Sequence, residues 1–199
     1  MSAAPDRIDS IVLASRNQHK LREFGRLLAP AGIAVESLTA DVTLPPEDGD
    51  TFSDNALPKA RAAAEATGRP AIADDSGIES EALGGRPGVR SARYAGERAT
   101  DQQNLDKLLA EAPAGSGLRY VCAVAFVDPR TAEERVFLGE CHGRLAAAPR
   151  GSGGFGYDPA FLPDAYGHDR TMAELNDDEK DRISHRGRAL AAFVSWLRR

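Results

Sequence analysis

A strand, an amphipathic helix and a second strand follow one another between residues 11 and 38, and this order restricts the fold more than any other feature of the chain. Ile11-Val12-Leu13-Ala14 is a short unbroken apolar run, the pattern of a strand covered on both faces. Leu21, Phe24, Leu27 and Leu28 then recur at helical spacing, and Pro30 with Gly32 ends the run. Ile33 to Leu38 alternates as a second strand. Strand, helix, strand at this spacing is a βαβ-type opening and predicts an α/β protein.

The rest of the chain extends that reading. Thr51 and Asp54 form a capping pair for a helix from Phe52 to about Thr67, after a loop containing Pro45, Pro46 and Gly49. Pro70 to Ala73 reads as a brief strand that runs into Asp74-Asp75-Ser76-Gly77, so that both carboxylates fall at a strand end. Residues 84–96 hold four glycines and one proline and read as largely loop. Thr100 and Gln103 cap a helix through Ala110. Tyr120 to Val127 and Arg135 to Leu145 read as longer strands joined near Asp128-Pro129, a β-meander rather than another crossover. Thr171 and Glu174 form a capping box, and a last amphipathic helix runs from about His185 to Leu197. Residues 1–9 are polar and read as a frayed start; no linker divides residues 10–199, which read as a single domain.

Composition excludes several classes. A chain of 199 residues can bury a core without a disulfide or structural metal. With 25 Lys and Arg against 30 Asp and Glu it has no basic stripe for coating nucleic acid. Cys122 and Cys141 lie in apolar stretches without metal-ligand spacing and read as buried thiols. The run Ile11 to Ala14 is far too short for a membrane span, and the cytoplasm is the default compartment.

Four constellations could carry chemistry. Ser15-Arg16-Asn17-Gln18-His19-Lys20 joins the first strand to the first helix, where unpaired backbone N–H groups and the helix dipole suit a phosphate. It lacks the glycines of a Walker loop. Glu47-Asp48 and Asp74-Asp75-Ser76 supply carboxylates from two segments; magnesium uses one or two such groups together with substrate phosphates. Adjacent carboxylates repel, so a cation or a lysine is expected beside them, and Lys59 is a candidate. Gly151 to Pro159 interleaves glycine with Phe155 and Tyr157, which allows close backbone approach and offers a ring for a base to stack on. Lys180 and Ser184-His185-Arg186-Gly187 gather donors at the final helix. Each is open to a plainer reading as cap, turn or solvated face, but together they supply everything a nucleotide site requires.

These residues, in this order, resemble the inosine triphosphate pyrophosphatase (Ham1/RdgB-type) family of XTP/dITP diphosphatases. The segments that carry the resemblance are Ser15 to Lys20, Thr51 to Ala60 with Asn55 and Lys59, and Ala73-Asp74-Asp75-Ser76-Gly77. Leu83 to Gly88, Ser91-Ala92-Arg93-Tyr94, Gly153 to Pro159 and Ser184 to Gly187 complete the set. The resemblance implies an elongated mixed β-sheet flanked by helices, in two lobes with the active site in the cleft between them, usually as a homodimer. It implies magnesium-dependent hydrolysis of non-canonical purine nucleoside triphosphates (ITP, dITP, XTP) to the monophosphate and pyrophosphate. In that reading Ser15, Arg16, Asn17, Gln18, His19 and Lys20 bind the triphosphate, and Asp75 is proton acceptor and metal ligand. Glu47 is the second magnesium carboxylate, with Asp48 and Asp74 as alternatives in their pairs. Ser76 lies at the substrate and Lys59 shares the phosphate charge. Phe155, Gly156, Tyr157 and Asp158 contact base and sugar, Lys180 the nucleotide, and His185 with Arg186 the base. No nucleic acid or membrane partner is implied. A nucleotide sensor without turnover, or a Maf-type pyrophosphatase of other modified nucleotides, would share part of this pattern.

Overall fold

A computed structural model describes residues 8–199. The first strand β1 (Ser10–Leu13) is wholly apolar from Ile11 onward and buried there. Helix α1 (Gln18–Leu28) starts where the Asn17 side chain accepts from the His19 and Lys20 amides. It ends through a short 3₁₀ turn at Gly32, whose left-handed φ of 75° suits glycine. Strand β2 (Ala34–Ser37) follows, and the Asp9 carbonyl accepts from Ala34. The rest of the expected frayed start, 1–7, lies outside the described residues.

Helix α2 (Phe52–Thr67) begins at Thr51, which accepts from the Asp54 amide. Its buried residues are Phe52, Asn55, Ala56, Lys59, Ala60, Ala63 and Ala64, one face at helical spacing. Alanine lets this face pack closely; Asn55 and Lys59 put two polar groups, one turn apart, into the interior. Strand β3 (Ala71–Ser80) corrects the expectation of a brief strand ending at Ala73. It runs ten residues, so Asp74, Asp75 and Ser76 lie within the strand and not at its end. Asp and Gly weaken a strand in isolation, but this one is central in the sheet and its carboxylates find partners, so tertiary context outweighs propensity.

Helix α3 (Asp101–Glu111) carries the expected Thr100–Gln103 capping box. Strands β4 (Gly117–Asp128) and β5 (Glu133–Leu145) match the meander reading. The short strand β6 (Phe161–Pro163) and helix α4 (Asp177–Ile183) were not foreseen. The Thr171–Glu174 capping box is present but heads only a 3₁₀ turn, Met172–Glu174. Helix α5 (His185–Leu197) closes the chain.

The sheet has six strands in the order β2-β1-β3-β4-β5-β6. Strand β1 pairs in parallel with β2 and with β3, whereas β5 and β6 are antiparallel, so the sheet is mixed and the class is α/β. The chain packs as two units. The first comprises Met1–Asp75, Ala123–Phe137 and Leu190–Arg199. Its core includes Ile11, Leu13, Phe24, Leu28 and Ile72, and Phe126, Phe137, Phe193 and Trp196 form an aromatic cluster. The second comprises Ser76–Cys122 and Leu138–Ala189, with Ile78, Leu105, Leu108, Leu118, Tyr120, Leu145 and Phe161 at its centre. Cys122 and Cys141 are both buried thiols outside any disulfide, as expected, and burial pushes the Cys141 thiol up to about 11. No helix among the described residues is long and apolar enough to cross a membrane.

Candidate active site

In the first unit, α2 directs its two polar residues at β3. Asn55 donates from Nδ2 to Asp75 Oδ2 at 2.8 Å, and its Oδ1 accepts from the Gly49 amide at 2.8 Å. One side chain thereby ties the strand carboxylate to the loop that carries Glu47. A Cβ on Gly49 would lie 2.6 Å from the Asp54 Cβ and 2.8 Å from that Asn55 oxygen, so this approach needs glycine. Lys59 Nζ, in a side chain only 6% exposed, donates to Glu47 and to the Asp74 carbonyl at 2.6 Å. Lys20 pairs with Asp74 Oδ1 at 2.8 Å. Glu47 is thus drawn to a lysine while its neighbour Asp48 is exposed. Asp74 meets an ammonium, whereas Asp75 meets a neutral amide.

The turn before α1 is shaped by its own side chains. Ser15 Oγ accepts from the Asn17 amide at 3.2 Å, and Asn17 Oδ1 caps the helix. Arg16 reaches away to the carbonyls of Ala40 and Val42, at 3.0 and 2.8 Å. Gln18 and His19 are exposed, with His19 Nδ1 against Arg22. Lys20, at the end of this turn, is placed against the Asp74 carboxylate.

In the second unit, Asp158 is the hub. Oδ1 accepts from the Tyr120 hydroxyl at 3.0 Å; Oδ2 accepts from Lys180 Nζ at 2.8 Å and from the Phe155 amide at 3.1 Å. Asp158 and Lys180 are both buried. The Lys180 ammonium and the Arg186 guanidinium lie 5.2 and 5.4 Å from the centre of the half-buried Phe155 ring, within cation–π range. Arg186 donates to Ser76 Oγ at 2.8 Å, and His185 is stacked on Tyr120. Of the two aromatics in the glycine-rich loop, Tyr157 packs inward with its hydroxyl on the Ser91 carbonyl at 2.7 Å, which leaves Phe155 as the accessible ring. Gly156 donates to Asp101 at 3.0 Å.

Burial raises the Asp75 carboxyl above the usual carboxylate range, against the Asn55 hydrogen bond and the Lys59 charge; Glu47 raises it further and Lys20 opposes. A buried carboxylate that feels the charge of a second, more exposed one is a place where a hard cation is welcome, and their oxygens suit magnesium. Among the described residues no group of three or more His, Cys, Asp or Glu side chains is gathered to hold an ion. Glu47 and Asp75 could supply part of a coordination sphere, with substrate phosphates and water as the remaining ligands.

The residue that sequence reasoning passed over is Asn55. Its motif was visible, but an amide on the buried face of an alanine-rich helix is itself the signal, because it must have a specific partner. Tyr120 was read only as part of a strand. Helix α4 could have been found from Asn176 and Glu179, a capping box that sets Lys180 in the following turn.

With this geometry in place, comparison with known proteins is direct. Residues 11–196 match the Ham1 family. The dITP/XTP pyrophosphatase of Symbiobacterium thermophilum is 52% identical over 191 residues, 94% of each chain. That of Frankia alni is 50% identical over 198 residues, 94% of this chain and 96% of its own. Among solved structures, a HAM1 protein from Coxiella burnetii superposes with a TM-score of 0.83 at 42% identity, covering 94% of this chain and 98% of its own. The Staphylococcus aureus Ham1 protein gives 0.81 at 38%, covering 95% and 98%.

Proposed function

Because this chain belongs to the Ham1 family, we propose that it is a hydrolase that cleaves non-canonical purine nucleoside triphosphates, ITP, dITP and XTP, to the monophosphate and pyrophosphate. The observation that carries this reading is the charge arrangement around α2, in which Lys59, Asp74 and Asp75 are buried while Lys20 and Glu47 reach them from more exposed positions. Two lysines, Lys20 and Lys59, are held against Asp74, Asp75 and Glu47. Such a set has little structural purpose, since apolar side chains would fill the space at lower cost.

Glu47 and Asp75 would hold magnesium, which when bound neutralises charge on the phosphate oxygens. Lys20 and Lys59 share the negative charge that develops on the departing pyrophosphate. The Asp75 carboxylate, oriented by Asn55, takes the proton of the water that attacks the α-phosphorus. Its raised pKa suits a proton acceptor that must release the proton again.

At the base end, Phe155 offers its ring, and His185 and Arg186 present donors to the 6-keto oxygen of hypoxanthine or xanthine. Adenine presents an amino group there, so donor would face donor. A polar site left unpaired in this way discriminates by on the order of 10⁴-fold. A panel of ITP, XTP, GTP and ATP, with and without magnesium and with products identified, tests the proposal. Rapid release of pyrophosphate from ITP and XTP, slow release from ATP and loss of activity in chelator are expected. Guanine shares the keto group and should fall between. Tight binding without pyrophosphate release would show a sensor instead, and equal rates for ATP and ITP would remove the 6-keto argument.

The homodimer implied by the resemblance belongs to the same reading. Leu138 and Val136, on one face of β5, are the large hydrophobics left exposed among the described residues, at 60% and 36%. Sedimentation equilibrium should give twice the chain mass, and a Leu138→Glu variant should shift it toward the monomer; an unshifted dimer would place the interface elsewhere.

A further inference from the structure

Tyr120 lies in β4 and is only 6% exposed. Its ring is nearly parallel to that of His185, with centroids 4.6 Å apart and planes 8° apart, and it packs at a tilt on Phe161 at 4.6 Å. Its hydroxyl donates to Asp158 Oδ1, the oxygen that Lys180 does not take. Asp158, as a carboxylate, can only accept, and burial holds the Tyr120 hydroxyl well above its ordinary range. The hydroxyl is therefore the donor in this pair. A tyrosine that merely filled the core would need a partner for its hydroxyl, but a backbone carbonyl serves that end, as the Ser91 carbonyl does for Tyr157. Tyr120 instead addresses the one carboxylate on which Lys180 and the Phe155 amide converge.

We infer that Tyr120 is a positioning residue for base recognition: its ring fixes the plane of His185, and its hydroxyl fixes Asp158 and, through it, Lys180 and the Phe155 loop. The inference rests on the reading that His185, Arg186 and Phe155 take the purine. Tyr120 touches no substrate. Its contribution is to hold one stacked partner and one hydrogen-bonded partner in a single geometry, so that donors meet the base edge at a set angle.

Two variants separate the two functions of the side chain. Tyr120→Phe keeps the stack and the volume but removes the hydroxyl; Tyr120→Leu removes both. For Tyr120→Phe we expect KM for ITP to rise about ten-fold, the range for a hydrogen bond to a charged group, with kcat within about two-fold of wild type. The preference for ITP over ATP, as a ratio of kcat/KM, should fall about as much. Hydrolysis of ribose triphosphate, which carries no base, should fall clearly less than hydrolysis of ITP, a difference that general loosening of the structure would not give. Tyr120→Leu should lower the preference further, and urea unfolding of each variant shows whether it is folded; should the leucine variant fail to fold, the phenylalanine variant decides alone. Unchanged KM and preference in folded Tyr120→Phe would overturn the role of the hydroxyl. Equal losses with ITP and ribose triphosphate would make Tyr120 a core residue and nothing more. If the wild-type enzyme itself shows no preference for ITP, the reading of the base end fails before any variant is considered, and the inference goes with it.

Discussion

Asp75→Asn should lower kcat by about 10²-fold or more while leaving KM for ITP nearly unchanged, and should at the same time raise the melting temperature of the metal-free protein at pH 7. The first effect follows from the proposed role: an amide can accept the Asn55 hydrogen bond after a flip but cannot take a proton from water. The second follows from burial. Asp75 is 7% exposed, and its pKa in the folded protein lies above the unfolded value because desolvation outweighs Asn55 and the lysines. A group shifted upward contributes stability that is complete below the unfolded pKa of about 4 and is lost as pH rises through the folded value. At neutral pH the ionised carboxylate is therefore a net cost to the fold, and the neutral amide is not. The stability advantage of the variant should shrink as pH falls toward 4. Magnesium should narrow the gap, since it stabilises the wild type more than the variant. Thermal unfolding at pH 7 and pH 4, with and without magnesium, reads all of this. A variant less stable at pH 7 would mean that Asp75 is chiefly a structural partner of Lys59 and Lys20. Full activity in Asp75→Asn, with the loss appearing in Asp74→Asn, would move the chemistry to the neighbouring residue.

Periodicity and capping signals carried most of the fold. Thr51, Thr100 and the apolar run at Ile11 located α2, α3 and β1 because each depends on local physics: a side-chain oxygen for an orphan amide, or a buried apolar stretch. Asp74, Asp75 and Gly77 look like strand breakers, so local reading ends β3 at Ala73, and the lysines and the amide brought by α1 and α2 make them tolerable inside a sheet. Contacts of that kind are invisible to local reading. For the site, residue types and order pointed to a nucleotide, and of the pair Glu47-Asp48 it is Glu47 that meets Lys59 while Asp48 is exposed. The direction of each side chain did not follow from type. Arg16 turns to the carbonyls of Ala40 and Val42, and Tyr157 turns into the core, because long-range partners set their rotamers. Asn55 and Tyr120 escaped notice for the same reason, since each matters through what it touches across the fold.

Asp158→Ala is expected to cost about 3–5 kcal/mol of stability, the range for removing one partner of a buried ion pair. Three donors converge on this carboxylate, and the side chains of the Asp158–Lys180 pair are only 5% and 9% exposed. Alanine would strand the Lys180 ammonium in the interior with one fewer acceptor and leave the Tyr120 hydroxyl without its carboxylate. The loop is built around this residue: Gly154 has φ +71°, and a Cβ there would come within 2.1 Å of Asp158 Oδ2. Replacing both partners, as Asp158→Leu with Lys180→Leu, should recover part of the loss, because the stranded ammonium is gone, although the Tyr120 hydroxyl and the Phe155 amide still lack their acceptor. It should not recover ITP binding, since the Phe155 amide would have lost its acceptor and the Lys180 cation over the Phe155 ring would be gone. Urea unfolding of the single and double variants, beside KM for ITP, separates these two effects. Stability lost equally in both would show that shape and not charge holds this loop, and a double variant that bound ITP normally would remove Asp158 and Lys180 from the base end altogether.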